Sequence, residues 1–132
     1  MLAVIIFFIM SSVSAVHFYW AFGGRRYIDF AIPKDEQDEA LFKPNVLTTL
    51  IVAVIFLSIA ILAIVIGFKL ANFEYLNIGY IIAGVFLLRA IGDFKYVGLF
   101  KRIKDSKFAY YDTKFFTPLV LTLAFSFVLI TI

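Results

Sequence analysis

The chain has 132 residues, of which 64% are apolar and 17 are Phe; its net charge is +3 and its mean hydropathy is +1.02. A soluble domain is about 45–50% apolar, and a chain this short has too much surface to hide the excess in a core, so lipid must take it up. The absence of cysteine excludes a disulfide framework, thiolate metal sites and cysteine catalysis, and because the positive residues flank apolar runs they point to membrane topology and not to a nucleic-acid partner.

A membrane-crossing helix needs about 20 mostly apolar residues. Four segments meet or approach this, and together they predict an all-α fold: one integral membrane bundle of four transmembrane helices formed by residues 1–132. The first span is 2–22, uncharged, with Ser11, Ser12, Ser14 and His17 as its polar members. Val13-Ser14-Ala15 resembles a leader cleavage site. However, no Lys or Arg precedes the apolar run, which continues to Phe22, so the segment reads as a span and not a signal peptide.

The linker 23–44 follows, with Arg25, Arg26, Lys34 and Lys43 and the acidic stretch Asp35, Glu36, Asp38 and Glu39. Gly23-Gly24-Arg25-Arg26 superficially resembles a phosphate loop but lacks the Gly-Lys-Ser/Thr pattern; a glycine-capped helix end followed by headgroup-level cations is the plainer reading. Pro44 suits the start of the second span, 46–68. After a tight turn over Lys69–Glu74, the third span, 75–97, carries Arg89, Asp93 and Lys95. The linker 98–114 holds Lys101, Arg102, Lys104, Lys107 and Lys114, and the fourth span, 115–132, is short.

The two long linkers hold nine of the twelve Lys/Arg residues, and the turn between the second and third spans holds only Lys69. Under the positive-inside rule, linkers 23–44 and 98–114 are cytoplasmic and both termini are outside. Phe18, Tyr19, Trp20 and Phe22, then Phe94, Tyr96 and Phe100, then Phe108, Tyr110, Tyr111, Phe115 and Phe116 supply an aromatic belt at that interface, with Tyr75 and Tyr80 at the outer side.

Charged residues inside a span are costly and are functional candidates by default. Arg89 and Asp93 stand at i,i+4 on one helical face, within reach of an ion pair. His17 on the first span, Arg89 and Asp93 fall at similar depth in the inner leaflet. With Ser14 on the face of His17 and Tyr96 one turn from Asp93, they form a candidate ligand-binding cluster if spans one and three are neighbours. Gly84, Leu88 and Gly92 at i,i+4 would let another helix approach closely. The competing reading is structural: a helix-locking ion pair and a His17 satisfied by an ordinary hydrogen bond. A proton path would need more ionisable residues through the bilayer. A lone His with no carboxylate on its own helix gives no metal site, and no cofactor motif is present. Arg25, Arg26, Lys101 and Arg102 are candidate headgroup contacts.

The residues His17-Phe18-Tyr19-Trp20-Ala21-Phe22-Gly23-Gly24 with Ile32-Pro33, then Arg89, Gly92-Asp93-Phe94-Lys95-Tyr96-Val97-Gly98, Phe100-Lys101-Arg102, Phe108-Ala109, Asp112-Thr113 and Pro118-Leu119, resemble a bacterial family filed as domain of unknown function 3995. The resemblance runs over nearly the whole chain, and the loop Lys34 to Lys43 stands outside its pattern. It implies a small inner-membrane protein of four helices and carries no established activity, so no catalytic residue follows from it.

Three functions remain open. A binding or accessory protein would hold a membrane lipid, an amphiphile or a partner helix at the inner-leaflet cluster. A small membrane enzyme would act on a lipid or isoprenoid-like substrate with His17 or Asp93 as acid/base, an analogy of fold alone. A protective protein would counter a membrane-active toxin. No Ser-His-Asp or His-Glu-x-x-His arrangement is recognisable, and binding is favoured over catalysis. The oligomeric state is not legible.

Overall fold

The computed structural model describes residues 1–71 and 74–132, with side chains described for residues 1–71 and 77–132. The regular elements among the described residues are helical, apart from an isolated bridge between Lys34 and Ala40. Helix α1 is Leu2–Ala21, α2 the single turn Ile28–Ala31, α3 Val46–Gly67, α4 Glu74–Ile91 and α5 Lys107–Tyr111. A π-helical turn at Asp112–Phe116 then leads directly into α6, Thr117–Thr131.

Local chemistry sets the helix ends. Gly23 takes φ +98° after α1, the left-handed conformation that glycine adopts most easily. Asn45 caps α3, its side-chain oxygen accepting the Thr48 N–H at 2.8 Å, so Pro44 precedes the cap and does not open the helix. Ser106 caps α5 by accepting the Ala109 N–H at 3.0 Å. Pro118 lies just inside α6. It has no N–H to return to the preceding turn, and its ring would crowd the carbonyl of Lys114; the wide π turn just before it relieves that crowding.

Two corrections concern the spans. The third helix ends at Ile91, six residues short of the expected 97, because Gly92 turns the chain at φ +83°. The fourth helix starts early, running unbroken over Lys107–Thr131. Three helices, Leu2–Ala21, Val46–Gly67 and Lys107–Thr131, are thus long and apolar enough to cross a membrane, while the described apolar part of α4, Asn77–Ile91, is shorter. The turn expected over Lys69–Glu74 includes residues 72–73, which lie outside the described residues, as does the side chain of Tyr75.

The bundle is built as two pairs, α1 on α3 and α4 on α6; among the described residues α1 and α4 share no extended packing. In the first pair small residues let the backbones approach: Ala53, Ala60 and Ala63 of α3 are fully buried, and a Cβ on Gly67 would collide with that of Ala3. The second pair closes where Gly79 faces Thr131 and where Phe86 stacks on Phe127 at 5.9 Å between ring centres. Gly84, expected to admit a neighbouring helix, faces open space. Ile6, Met10, Ile66 and Phe127 are the largest apolar side chains sealed inside. Phe8, Ile51, Leu88 and Phe125 are half or more exposed, which suits hydrocarbon and not water. A helical fold with this lipid-suited surface and these spans is that of an integral membrane protein.

Candidate functional site

The charged centre of the molecule is Asp112, at the start of the π turn and fully buried. Its Oδ1 accepts from Arg89 Nη2 at 2.8 Å. Its Oδ2 accepts from the Gly98 N–H at 2.9 Å and from Lys101 Nζ at 3.0 Å. Lys101 also donates to the Gly98 carbonyl at 3.0 Å. One carboxylate therefore fastens the end of α4, the loop after it and the last helix to one another. Burying a carboxylate is tolerable only with partners of this quality.

This arrangement corrects the pairing expected of Arg89. Its partner is Asp112, 23 residues away, and not Asp93. Asp93 lies past the end of α4 with its carboxylate turned onto its own loop, where Oδ1 accepts the N–H groups of Lys95, Tyr96 and Val97 at 3.0, 2.7 and 3.0 Å. Partial burial, the largest single influence, opposes ionisation, but the three backbone donors together outweigh it and hold the Asp93 carboxyl below its ordinary value. Gly92 and Gly98 pin the two ends of this loop. Both have positive φ, and a Cβ on either would strike backbone carbonyl oxygens, that of Val97 for Gly92 and that of Ile91 for Gly98. Tyr96 sits in the same loop, its ring 5.0 Å from the Lys95 ammonium.

Lys101, expected at the headgroups, is also corrected: it is 4% exposed and turned inward onto Asp112. Arg25, Arg26 and Arg102 do lie exposed at the surface. Asp112 and Lys101 as a buried pair are what sequence reasoning missed. The available signal was a single acid set among Phe108, Tyr110, Tyr111, Phe115 and Phe116, next to the start of an apolar run.

His17 and Ser14 belong to the other helix pair. Ser14 is buried and donates across to the Ala53 carbonyl at 2.7 Å, tying α1 to α3. His17 Nδ1 lies 2.8 Å from the Val13 carbonyl; a carbonyl only accepts, so Nδ1 carries the hydrogen. The ring meets Trp20 and Phe56 edge to face, with centres 5.0 and 5.1 Å away. It lines a half-open cavity of about 230 Å³ bordered by α1, α2, the following loop and the start of α3. Neither Arg89 nor Asp93 lines that cavity. The single cluster expected of His17, Arg89 and Asp93 is thus resolved into a cavity at α1–α3, a buried charge centre at α4–α6, and a loop that consumes its own carboxylate. An open aromatic crevice beside α2, lined by Trp20, Tyr27, Phe30, Tyr110, Tyr111 and Lys114 among others, lies between the two helix pairs. Among the described residues no group of three or more His, Asp or Glu is placed to hold a metal ion.

Fold and site together define a small helical membrane protein organised around one buried carboxylate. The family model described as protein of unknown function (DUF3995) matches residues 10–127, and the chain belongs to that family. None of the curated proteins and none of the solved structures compared with the chain matches it.

Proposed function

We propose that this is a four-span protein of the bacterial inner membrane that binds an anionic lipid or amphiphile at the inner-leaflet end of α4. In this reading α4 is the fourth crossing. Its 18 residues extend about 27 Å, short of the roughly 30 Å hydrocarbon core but within what tilt or local thinning accommodates. The linkers 23–44 and 98–114 then face the cytoplasm.

One observation carries the binding reading: the charge centre does not balance. Arg89 and Lys101 bring two cations to the single carboxylate of Asp112. Lys101 is sealed, but the Arg89 side chain is 34% exposed, while its Nη1 is buried and has no acceptor among the described residues. Arg89 stands two residues before the end of α4, at the depth of phosphate headgroups. A partly exposed guanidinium in a centre with one cation in excess attracts a phosphate, and a small side-chain adjustment would bring the unpaired Nη1 to it. The exposed Arg25, Arg26 and Arg102 add attraction for an anionic leaflet.

Catalysis has less support. An acid/base pair must converge on one reacting atom, whereas the His17 cavity has no carboxylate in its lining and Asp93 is engaged by three amides.

The test is native mass spectrometry of the full chain from mixed vesicles of phosphatidylglycerol and phosphatidylethanolamine. Retention of phosphatidylglycerol by the wild type and its loss in Arg89→Gln is the expected result. Arg89→Gln leaves Asp112 paired with Lys101 and Gly98, so the fold should persist. Equal lipid retention by both proteins would remove Arg89 as the site.

A further inference from the structure

The cavity beside His17 is chemically unlike the charge centre. Its wall carries no charged side chain, so it offers nothing to a phosphate or carboxylate. Its polar groups have their donors already committed. Thr48 Oγ1 and Thr49 Oγ1 both donate to the Asn45 carbonyl, at 3.1 and 2.8 Å. Trp20 Nε1 donates to the Arg26 carbonyl at 2.9 Å. His17 has given its Nδ1 hydrogen to Val13, which leaves the neutral ring a lone pair on Nε2. Nε2 has no hydrogen-bond partner among the described residues. The side chains of the wall therefore present acceptors and no free donor.

We infer that this cavity binds an uncharged apolar molecule bearing a hydroxyl group, an alcohol or a phenol, which donates its hydrogen bond to His17 Nε2. The rest of the ligand packs against Phe42, Val52 and the Trp20 ring, all of which line the space. A molecule presenting only acceptors, such as an ether or a ketone, finds no free side-chain donor beside His17 and forgoes the hydrogen bond that a hydroxyl makes to Nε2. The volume of about 230 Å³ lies below the ~300–1,000 Å³ typical of ligand pockets, which selects a single ring or a short chain and not a whole phospholipid.

Trp20 is the sole tryptophan of the chain and lines the cavity, so its fluorescence reports occupancy, with Val52→Phe separating this space from the aromatic crevice that Trp20 also borders. The full chain in detergent is titrated with para-butylphenol and with its methyl ether, para-butylanisole, each corrected for its partition into micelles. The phenol should bind roughly 3- to 10-fold more tightly, the worth of one hydrogen bond. In His17→Phe, which keeps an aromatic ring, the preference should vanish. In Val52→Phe, which fills the cavity, neither probe should alter the fluorescence. Equal binding of the two probes by the wild type, a preference that survives His17→Phe, or a response that survives Val52→Phe would each overturn the proposal. The comparison of probes on the wild type decides the matter even if His17→Phe fails to accumulate.

Discussion

Arg89 and Asp112 stand 23 residues apart and meet at 2.8 Å, joining the last turn of α4 to the π turn that opens α6. The pairing gives Asp112 the larger structural role and leaves Arg89 partly exposed. Removing the carboxylate strands two cations, one of them sealed, whereas removing Arg89 still leaves Asp112 with Lys101 and Gly98.

Asp112→Ala should therefore be the most damaging single change at this centre, costing about 3–5 kcal/mol as a broken buried ion pair. Asp93→Ala should cost about 1 kcal/mol, the scale of a lost capping group. Unfolding of the purified proteins in detergent, followed by circular dichroism, ranks the two. Equal effects would mean that Asp112 does not hold the helices together.

The helices were legible in the sequence because lipid imposes a simple rule, a sufficient run of apolar residues, and α1, α3 and the last helix obey it. The end of α4 was not legible by that rule. Hydropathy runs on through Phe94, Tyr96 and Val97, while the backbone is turned by Gly92 and the turn is locked by the Asp93 carboxylate. Once the helix stops at Ile91, the i,i+4 geometry that would face Asp93 toward Arg89 no longer exists. The true partner depends on how α4 packs on α6, a tertiary relationship that no local spacing encodes. The same holds for His17, which meets Phe56 of α3 and shares a cavity with α2.

The glycines separate position from composition. Gly98 takes φ +90°, and a Cβ there would run into the Ala90 and Ile91 carbonyl oxygens. Gly98→Ala should thus exceed the about 1–2 kcal/mol that left-handed backbone alone costs, and it should also weaken the Asp112 centre, which uses the Gly98 N–H. Gly84 lies in a helix facing open space, so Gly84→Ala should be neutral or stabilising by about 0.5–1 kcal/mol. Melting temperatures of the two variants should move in opposite directions from Gly98→Ala downward to Gly84→Ala upward.

Acid should act locally on the loop after α4. The Asp93 carboxyl is held below its ordinary value in the folded protein and returns to about 3.9 when unfolded. A depressed folded value stabilises above the unfolded one and loses that contribution as pH falls through the folded one. Hydrogen-exchange protection of the Lys95, Tyr96 and Val97 amides should accordingly hold from neutral pH down to about 4 and decline below it. In Asp93→Asn the protection should be weak throughout and show no such decline. A decline centred near pH 6 would assign the effect to another group.

The crossing of α4 is decided by sidedness. The chain has no cysteine, so single cysteines can be placed without background. If α4 spans, residue 70 between α3 and α4 lies outside, while residue 104 after α4 lies in the cytoplasm with residue 37. Leu70 is 67% exposed and Gln37 and Lys104 are exposed, so labelling at each reports side and not burial. In intact spheroplasts a membrane-impermeant maleimide should label Leu70→Cys and spare Gln37→Cys and Lys104→Cys until the membrane is opened. The same side for residues 70 and 104 would make α4 a re-entrant or interfacial helix. Arg89 would then no longer end a crossing helix at the inner leaflet, which is where the anionic-lipid reading needs it.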